Sequence, residues 1–139
     1  MDGWVGIDLD GTLAKGYSSE IGQPVYENVD LARELIANGI EVRIFTARAS
    51  GNNWGIREVK EWCKKHLGKT LEVTNIKDWD CRLIIDDRAL SVATDEGRFR
   101  TEYDQKRVIG QLLSWHRART PKAMEENIQK EGERDATQG

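Results

Sequence analysis

An α/β domain built on a parallel sheet, with helices covering both faces, is the fold class this sequence predicts. Three observations predict it. Short apolar or β-branched runs of strand length alternate with segments of helical periodicity. The first two helical segments each close on a glycine, Gly39 and Gly68, before the next strand begins. Acidic, basic and hydroxyl residues gather where the apolar runs end. In open parallel sheets that is the edge beyond which ligands bind.

The elements follow in order. Residues 3–8 (GWVGID) predict a short buried strand. Residues 9–26, rich in Gly and Ser and holding Pro24, predict a loop. Asn28 reads as an N-cap, and Leu31, Leu35 and Ile36 supply the apolar stripe of a first helix. IEVRIFT, 40–46, predicts a second strand, and 47–53 a loop. Ile56, Val59, Cys63 and Leu67 recur at helical spacing through 53–67. LEVT, 71–74, and RLIIDD, 82–87, predict a third and a fourth strand around the loop NIKDWD. A short further strand is expected at Val92–Thr94. A last helix is expected over 102–118, with an apolar face of Val108, Ile109, Leu112, Leu113 and Trp115. From Pro121 the chain turns polar. The reading is a catalytic domain over 1–120 and a polar, partly disordered tail over 121–139.

Composition narrows the function classes. The 139 residues are 38% hydrophobic and 32% charged, and 21 basic against 24 acidic residues leave a net charge of −3. That balance gives no reason to expect a protein that coats nucleic acid. The start, MDGWVGIDLD, carries no basic segment followed by a long apolar run, so no signal peptide is expected. No stretch has the length of a membrane span. Cys63 and Cys81 lack metal-type spacing and read as reduced core residues, which points to a cytoplasmic protein. His66 and His116 read as ordinary helix-face residues, and Trp54 and Trp79 as packing residues in loops on the site side.

Asp8 and Asp10 end the first strand, Thr46 and Arg48 the second, Lys77 follows the third, and Asp86, Asp87 and Arg88 end the fourth. Carboxylates placed side by side are unfavourable unless a positive group holds them. Mg²⁺ accepts oxygen ligands and keeps several waters, so two carboxylates and a backbone carbonyl suffice to hold it. The lysine and arginines then face an anionic substrate, most economically a phosphate. One aspartate can attack phosphorus. Its neighbour can protonate the leaving oxygen and afterwards deprotonate water.

The run Asp8-Leu9-Asp10-Gly11-Thr12, with Phe45-Thr46-Ala47-Arg48, Lys77 and Ile84-Ile85-Asp86-Asp87-Arg88, resembles the four motifs of the haloacid dehalogenase superfamily in their order. The likeness covers roughly residues 3–95. In motif form it is most similar to small phage and bacterial hydrolases of that superfamily and to the phosphatase domain of polynucleotide kinase-phosphatases. The resemblance implies a three-layer Rossmann-like fold and a Mg²⁺-dependent phosphatase acting on phosphate monoesters. It implies that Asp8 is the nucleophile and Asp10 the acid/base residue, with the Asp10 main-chain carbonyl on Mg²⁺. Thr46 would bond the transferring phosphoryl group and Lys77 neutralise it. Asp86 would ligate Mg²⁺, and Asp87 would do so directly or through water. Arg48, and with it Thr12 and Arg88, would contact substrate. An aspartate at position 10 points to phosphate esters, because dehalogenases of the superfamily generally lack that carboxylate and transport ATPases carry threonine.

From Asp10 to Thr46 is 46 − 10 = 36 residues, and from Thr46 to Lys77 is 77 − 46 = 31. One helix and one strand fill each interval, so no cap domain is expected. Only loop 14–26 is placed to act as a small flap. Nucleotides and nucleic-acid ends are among the phosphorylated substrates such an open site admits. Two rival readings are a receiver-like phospho-acceptor and a non-catalytic binding module of the same fold. Receivers carry their acidic pair early and their acceptor at mid-chain, which is the reverse of the order here.

Overall fold

The computed structural model describes residues 2–119. They fall into two compact units, Met1–Ala89 and Leu90–Gly139. The expected domain over 1–120 spans both.

In the first unit the order is β1 (Trp4–Ile7), α1 (Tyr26–Ala37), β2 (Glu41–Phe45), a 3-10 turn (Ala47–Ser50), α2 (Asn53–Leu67), β3 (Val73–Thr74) and β4 (Cys81–Ile85). The strands form one sheet in the order β3-β2-β1-β4, and every pairing is parallel. The α/β class with a parallel sheet is thus borne out. Parallel neighbours need crossover connections, and α1 and α2 provide those that join β1 to β2 and β2 to β3. The interval from 10 to 46 holds a loop, α1 and β2, and that from 46 to 77 holds the 3-10 turn, α2 and β3, with no added domain among the described residues.

Alternation along the strands sorts the two faces of the sheet. Val5 and Ile7 of β1 and Val42 and Ile44 of β2 point to one face. There they pack with Val29 and Ala32 of α1 and Val59, Trp62, Cys63 and Leu67 of α2. The opposite face of β1 carries Trp4, which is fully buried. A buried indole needs an acceptor for its N–H, and Trp4 Nε1 donates to Asp78 at 2.8 Å. The Arg43 guanidinium lies 4.7 Å above the Trp4 ring and pairs with Glu41 and Glu72 at 3.2 Å each. Gly39 and Gly68 both adopt left-handed φ values, +78° and +80°, where a side chain would strain the stop of each helix.

The ends of several elements differ from the sequence reading. Asn28 is not the N-cap of α1: the extended Val25 occupies that position, and Asn28 lies inside the helix. Its side-chain amide instead donates to the Thr12 carbonyl at 2.8 Å, tying α1 to the loop after β1. β3 is only two residues long, although the Glu72 carbonyl still accepts the Ile44 N–H at 2.9 Å. In the second unit, the strand expected at Val92–Thr94 is a single antiparallel bridge from Val92 to Phe99. The last helix, α3, runs Glu102–Arg119, close to expectation, but Leu112, Leu113 and Trp115 of its expected apolar face are about half exposed. The reading of 121–139 as a disordered tail lies outside the described residues. Among those residues no helix is long and apolar enough to cross a membrane.

Ile44 is fully buried at the centre of this core. Ile44→Ala should lower stability by about 2–5 kcal/mol and Ile44→Val by about 0.5–1.5 kcal/mol. Urea denaturation of the two variants checks this, and equal midpoints for Ile44→Ala and the unmodified chain would place Ile44 outside the core.

Candidate active site

Parallel register delivers the site. Ile7 sits beside Ile44 on one side and Ile85 on the other. The next residues out of the sheet are therefore Asp8, Phe45 and Asp86, at one edge. The Asp8 N–H donates to the Ile85 carbonyl at 2.9 Å, and the Thr46 N–H to Thr74 at 2.9 Å. These bonds extend the pairing by one residue and hold both side chains at the carboxyl edge.

Beyond Asp8 the chain turns on one carbonyl. The Leu9 oxygen accepts from the N–H groups of Thr12, Leu13 and Ala14 at 3.1, 2.9 and 2.9 Å. Gly11 has φ of +85°, and a Cβ there would stand 2.5 Å from Asp87 Oδ2 and 2.6 Å from the Tyr17 hydroxyl. The left-handed φ is what favours glycine here, since Asp87 and Tyr17 meet it with the ends of their side chains. The turn buries Thr12, whose hydroxyl lies 3.2 Å from Asp8 and 3.0 Å from Asp87 and accepts the Asp87 N–H at 3.1 Å. Thr12, read as a substrate contact, is thus engaged between two carboxylates and is not among the residues that line the cleft.

Asp8, Asp86 and Asp87 each offer an oxygen within 4.8 Å of the other two. Such crowding raises the cost of ionising all three. The Asp8 carboxyl is pushed up from 3.8 to about 7, first by burial, then by its bond to Asp87 and the charge of Asp86, with Thr12 and the Leu9 N–H acting the other way. Asp87 is held below the usual carboxylate range by donors that include Tyr17 and Thr12, against the opposing effect of its own desolvation. Asp8 is therefore the partner that carries the proton when no cation is present.

A cleft of about 740 Å³ opens over this edge. Its walls include Asp8, Asp10, Thr46, Arg48, Asp86 and Arg88, all singled out from the sequence. Thr46 is only 3% exposed, and its hydroxyl accepts the Arg48 N–H at 3.2 Å, capping the 3-10 turn. Arg88 donates its main-chain N–H to Asp86 at 2.8 Å, and its guanidinium lies 4.2 Å from the centre of the Tyr17 ring. Arg48 is paired with Asp10: Nε and Nη2 each reach one carboxylate oxygen at 2.8 Å. Asp10 and burial act in opposite senses on Arg48, and Asp10 prevails, raising its pKa.

Lys77 stands apart. It is exposed on the loop after β3, outside the cleft lining, and makes no hydrogen bond or ion pair among the described residues. Asn75 lines the cleft at the end of β3 instead, with its amide donating to Ser50 at 2.8 Å. Tyr17, Ser18 and Ser19 also line it, and the Tyr17 hydroxyl donates to Asp87. That contact pushes the Tyr17 hydroxyl above its usual value. The sequence reading missed Tyr17 and Asn75. The position of Asn75 directly after a strand was the available signal, and an aromatic within the expected flap was the signal for Tyr17. Trp54 and Trp79 are exposed and do not line the cleft, and Cys63 is buried with its thiol pushed up to about 12.

Fold and site together define a parallel α/β protein whose carboxyl sheet edge gathers carboxylates, a buried hydroxyl and two arginines. A solved structure of a conserved protein coded by a locus from Bacteroides thetaiotaomicron is similar, with a TM-score of 0.53 at 17% identity over 64% of this chain and 78% of that one. Likeness at that identity shows a shared fold. No family model matches the sequence, and comparison with curated proteins gives no match.

A carboxyl whose pKa is raised by folding binds its proton more tightly in the folded chain, so its stabilising effect is complete below the unfolded value and lost as pH rises through the folded one. For Asp8 the window runs from 3.8 to about 7. In chelator, the melting temperature of the unmodified chain should fall relative to that of Asp8→Asn as pH rises from about 5 to about 8, a difference in which the opposite drift from His66, held below its usual value by burial and by Lys65 and Arg33, cancels. The depressed Asp87 titrates below this window and does not mask it. Thermal melts across the range read the effect, and an equally steep fall in Asp8→Asn would assign it to another group.

Proposed function

We propose that this chain is a Mg²⁺-dependent phosphatase that hydrolyses phosphate monoesters through a phosphoryl group carried on Asp8. The observation that carries the reading is the meeting of Asp8, Asp86 and Asp87 within 4.8 Å, with Asp8 and Asp86 in the cleft wall. The donor set fits the cation: it is all oxygen, with no imidazole or thiolate, and its spacing suits oxygen–metal distances of about 2.0–2.1 Å with waters completing the shell. Asp8, Asp86, Asp87 and the Asp10 carbonyl are the groups that would hold it. Bound there, Mg²⁺ would neutralise the carboxylates, keep Asp8 ionised and offset the charge on the phosphoryl oxygens.

The chain's own residues supply the rest. Asp8 Oδ attacks phosphorus, and the bond from phosphorus to the ester oxygen breaks. The leaving oxygen takes a proton from the Asp10 carboxyl, which has to be protonated within its pair with Arg48 for this step. Asp10, now a carboxylate, draws a proton from water, and the water oxygen attacks the same phosphorus. The bond from phosphorus to Asp8 breaks, phosphate departs, and both aspartates return to their starting states. The Thr46 hydroxyl, which accepts the Arg48 N–H and lies in the cleft wall, would bond a phosphoryl oxygen. Lys77 lies on a loop beside this edge and would have to swing inward to neutralise the transferring group. The resemblance to haloacid dehalogenase phosphatases in motif order supports the same assignment.

Hydrolysis of an aryl phosphate should need a divalent cation and should vanish in excess chelator. It should also vanish in Asp8→Asn, whose circular dichroism should match the unmodified chain. Undiminished turnover in either case would sink the reading.

Asp10→Asn separates the two aspartates. It keeps the main-chain carbonyl and the nucleophile but loses proton delivery and water activation, each worth about 10²–10⁴-fold. Esters with poor leaving groups should lose most in the first step. With activated aryl esters, a burst of phenol should precede slow turnover, and a phosphate adduct on Asp8 should accumulate. Rapid-quench kinetics with mass spectrometry reads both, and equal losses for all esters with no adduct would make Asp10 structural.

A further inference from the structure

A guanidinium has five N–H donors, and the structure commits four of those on Arg48. The inner edge, Nε and Nη2, forks onto the two oxygens of Asp10 at 2.8 Å each. The outer edge, Nη1 and Nη2, donates to the carbonyls of Ser19 and Ser18, also at 2.8 Å each. A phosphate contact in the fork geometry that arginine favours needs two adjacent N–H groups on one edge. As Arg48 stands, neither edge is free for one.

The two serine carbonyls belong to residues 15–23, which leave the site and return to it. The Lys15 N–H donates to the Gln23 carbonyl at 2.8 Å, and Ala14 bridges Pro24, closing the base of the excursion. The result is a strap whose Tyr17, Ser18 and Ser19 form part of the cleft wall. It has a second tie at Tyr17, whose hydroxyl donates to Asp87 and whose ring lies against Arg88. Tyr17 is otherwise 60% exposed, so it is anchored by these ends rather than by a core.

The two edges of Arg48 differ in what they hold. The inner edge grips both oxygens of Asp10, whose side chain is only 21% exposed, in a pair assisted by the guanidinium charge. The outer edge grips two neutral carbonyls on exposed residues, which water can satisfy once they leave. A phosphate dianion outcompetes the carbonyls before it outcompetes Asp10.

We propose that the strap 15–23 masks a phosphate-binding fork on the outer edge of Arg48, which an incoming phosphate takes by displacing the Ser18 and Ser19 carbonyls while the inner edge keeps Asp10. Arg48 is then a positioning residue for Asp10 in both states and a phosphate contact only when the strap is open. This rests on the phosphatase reading for the nature of the occupant. Its consequence is competition: whatever tightens the strap weakens phosphate binding, and whatever loosens it strengthens binding. A strap that simply contacted substrate would show the opposite sign.

The test is calorimetric titration of inorganic phosphate at saturating Mg²⁺ into the full chain and into Tyr17→Ala and Tyr17→Phe. Trypsin cleavage after Lys15 is followed in parallel. Tyr17→Ala should bind phosphate at least about threefold more tightly, and Tyr17→Phe, which keeps the ring, should shift the same way by less. Cleavage after Lys15 should be faster in both variants and should be accelerated by phosphate in the unmodified chain. Arg48→Lys, which keeps the charge but loses the fork, should show fast cleavage with or without phosphate. Weaker or unchanged phosphate binding in the Tyr17 variants, no phosphate binding in any of them, or protection of Lys15 by phosphate would overturn the proposal. Aryl phosphate hydrolysis, measured on the same samples, separates the two readings. Turnover without the binding shift removes the mask and leaves the phosphatase, whereas the binding shift without turnover removes the phosphatase and leaves the mask.

Discussion

Mutual repulsion among Asp8, Asp86 and Asp87, held within 4.8 Å of one another, is the constraint around which the rest of the site is arranged. Nothing in the side chains themselves brings three acids together. The parallel pairing of β1 with β4 does so, because Ile7 and Ile85 are partners and the next residue of each strand is an aspartate. The hydrophobic core that fixes this register is therefore the source of the electrostatic strain at the edge. At Asp8 burial adds to this crowding and pushes the carboxyl up to about 7, whereas at Asp87 desolvation is outweighed by the bonds from Tyr17, Thr12 and Asp8, which hold it below its usual value.

Donors have been recruited to every side of the cluster. Thr12 lies between Asp8 and Asp87, on a turn that the left-handed φ of Gly11 favours. The Tyr17 hydroxyl donates to Asp87, and the Arg88 main-chain N–H donates to Asp86. Asp10 is kept out of the cluster by a different device, the fork of Arg48. The two aspartates of the first motif thus occupy different electrostatic surroundings two residues apart. Asp8 lies among like charges, and Asp10 lies against an opposite one.

Position along the sheet explains which residues matter. Asp8, Thr46, Asn75 and Asp86 each stand at the end of a different strand, so four separate segments meet, with no domain inserted between them among the described residues of the first unit. The strap 15–23 is the cover this site has within the first unit. It is anchored at Asp87 and Arg48, the same groups that a cation and a phosphate would claim.

The class of fold was legible because it depends on local patterns. Strand-length apolar runs, the stripe Val59, Cys63 and Leu67 of α2, and the stops at Gly39 and Gly68 are all short-range signals, and α2 runs from Asn53 to Leu67 as its periodicity implies. Asp8, Asp10, Thr46, Arg48, Asp86 and Arg88 were legible as a set because residues just past parallel strands must share an edge. The partners of those residues were decided by tertiary structure alone. No spacing rule says that Arg48 grips Asp10 from 38 positions away, or that Tyr17 crosses 70 positions to Asp87. Asn28 carries the residue type of a cap, yet it serves as a tether to Thr12, because the chain enters α1 at Val25. Local sequence determines which conformations are cheap, and contacts between distant segments determine which side chain is left facing which charge.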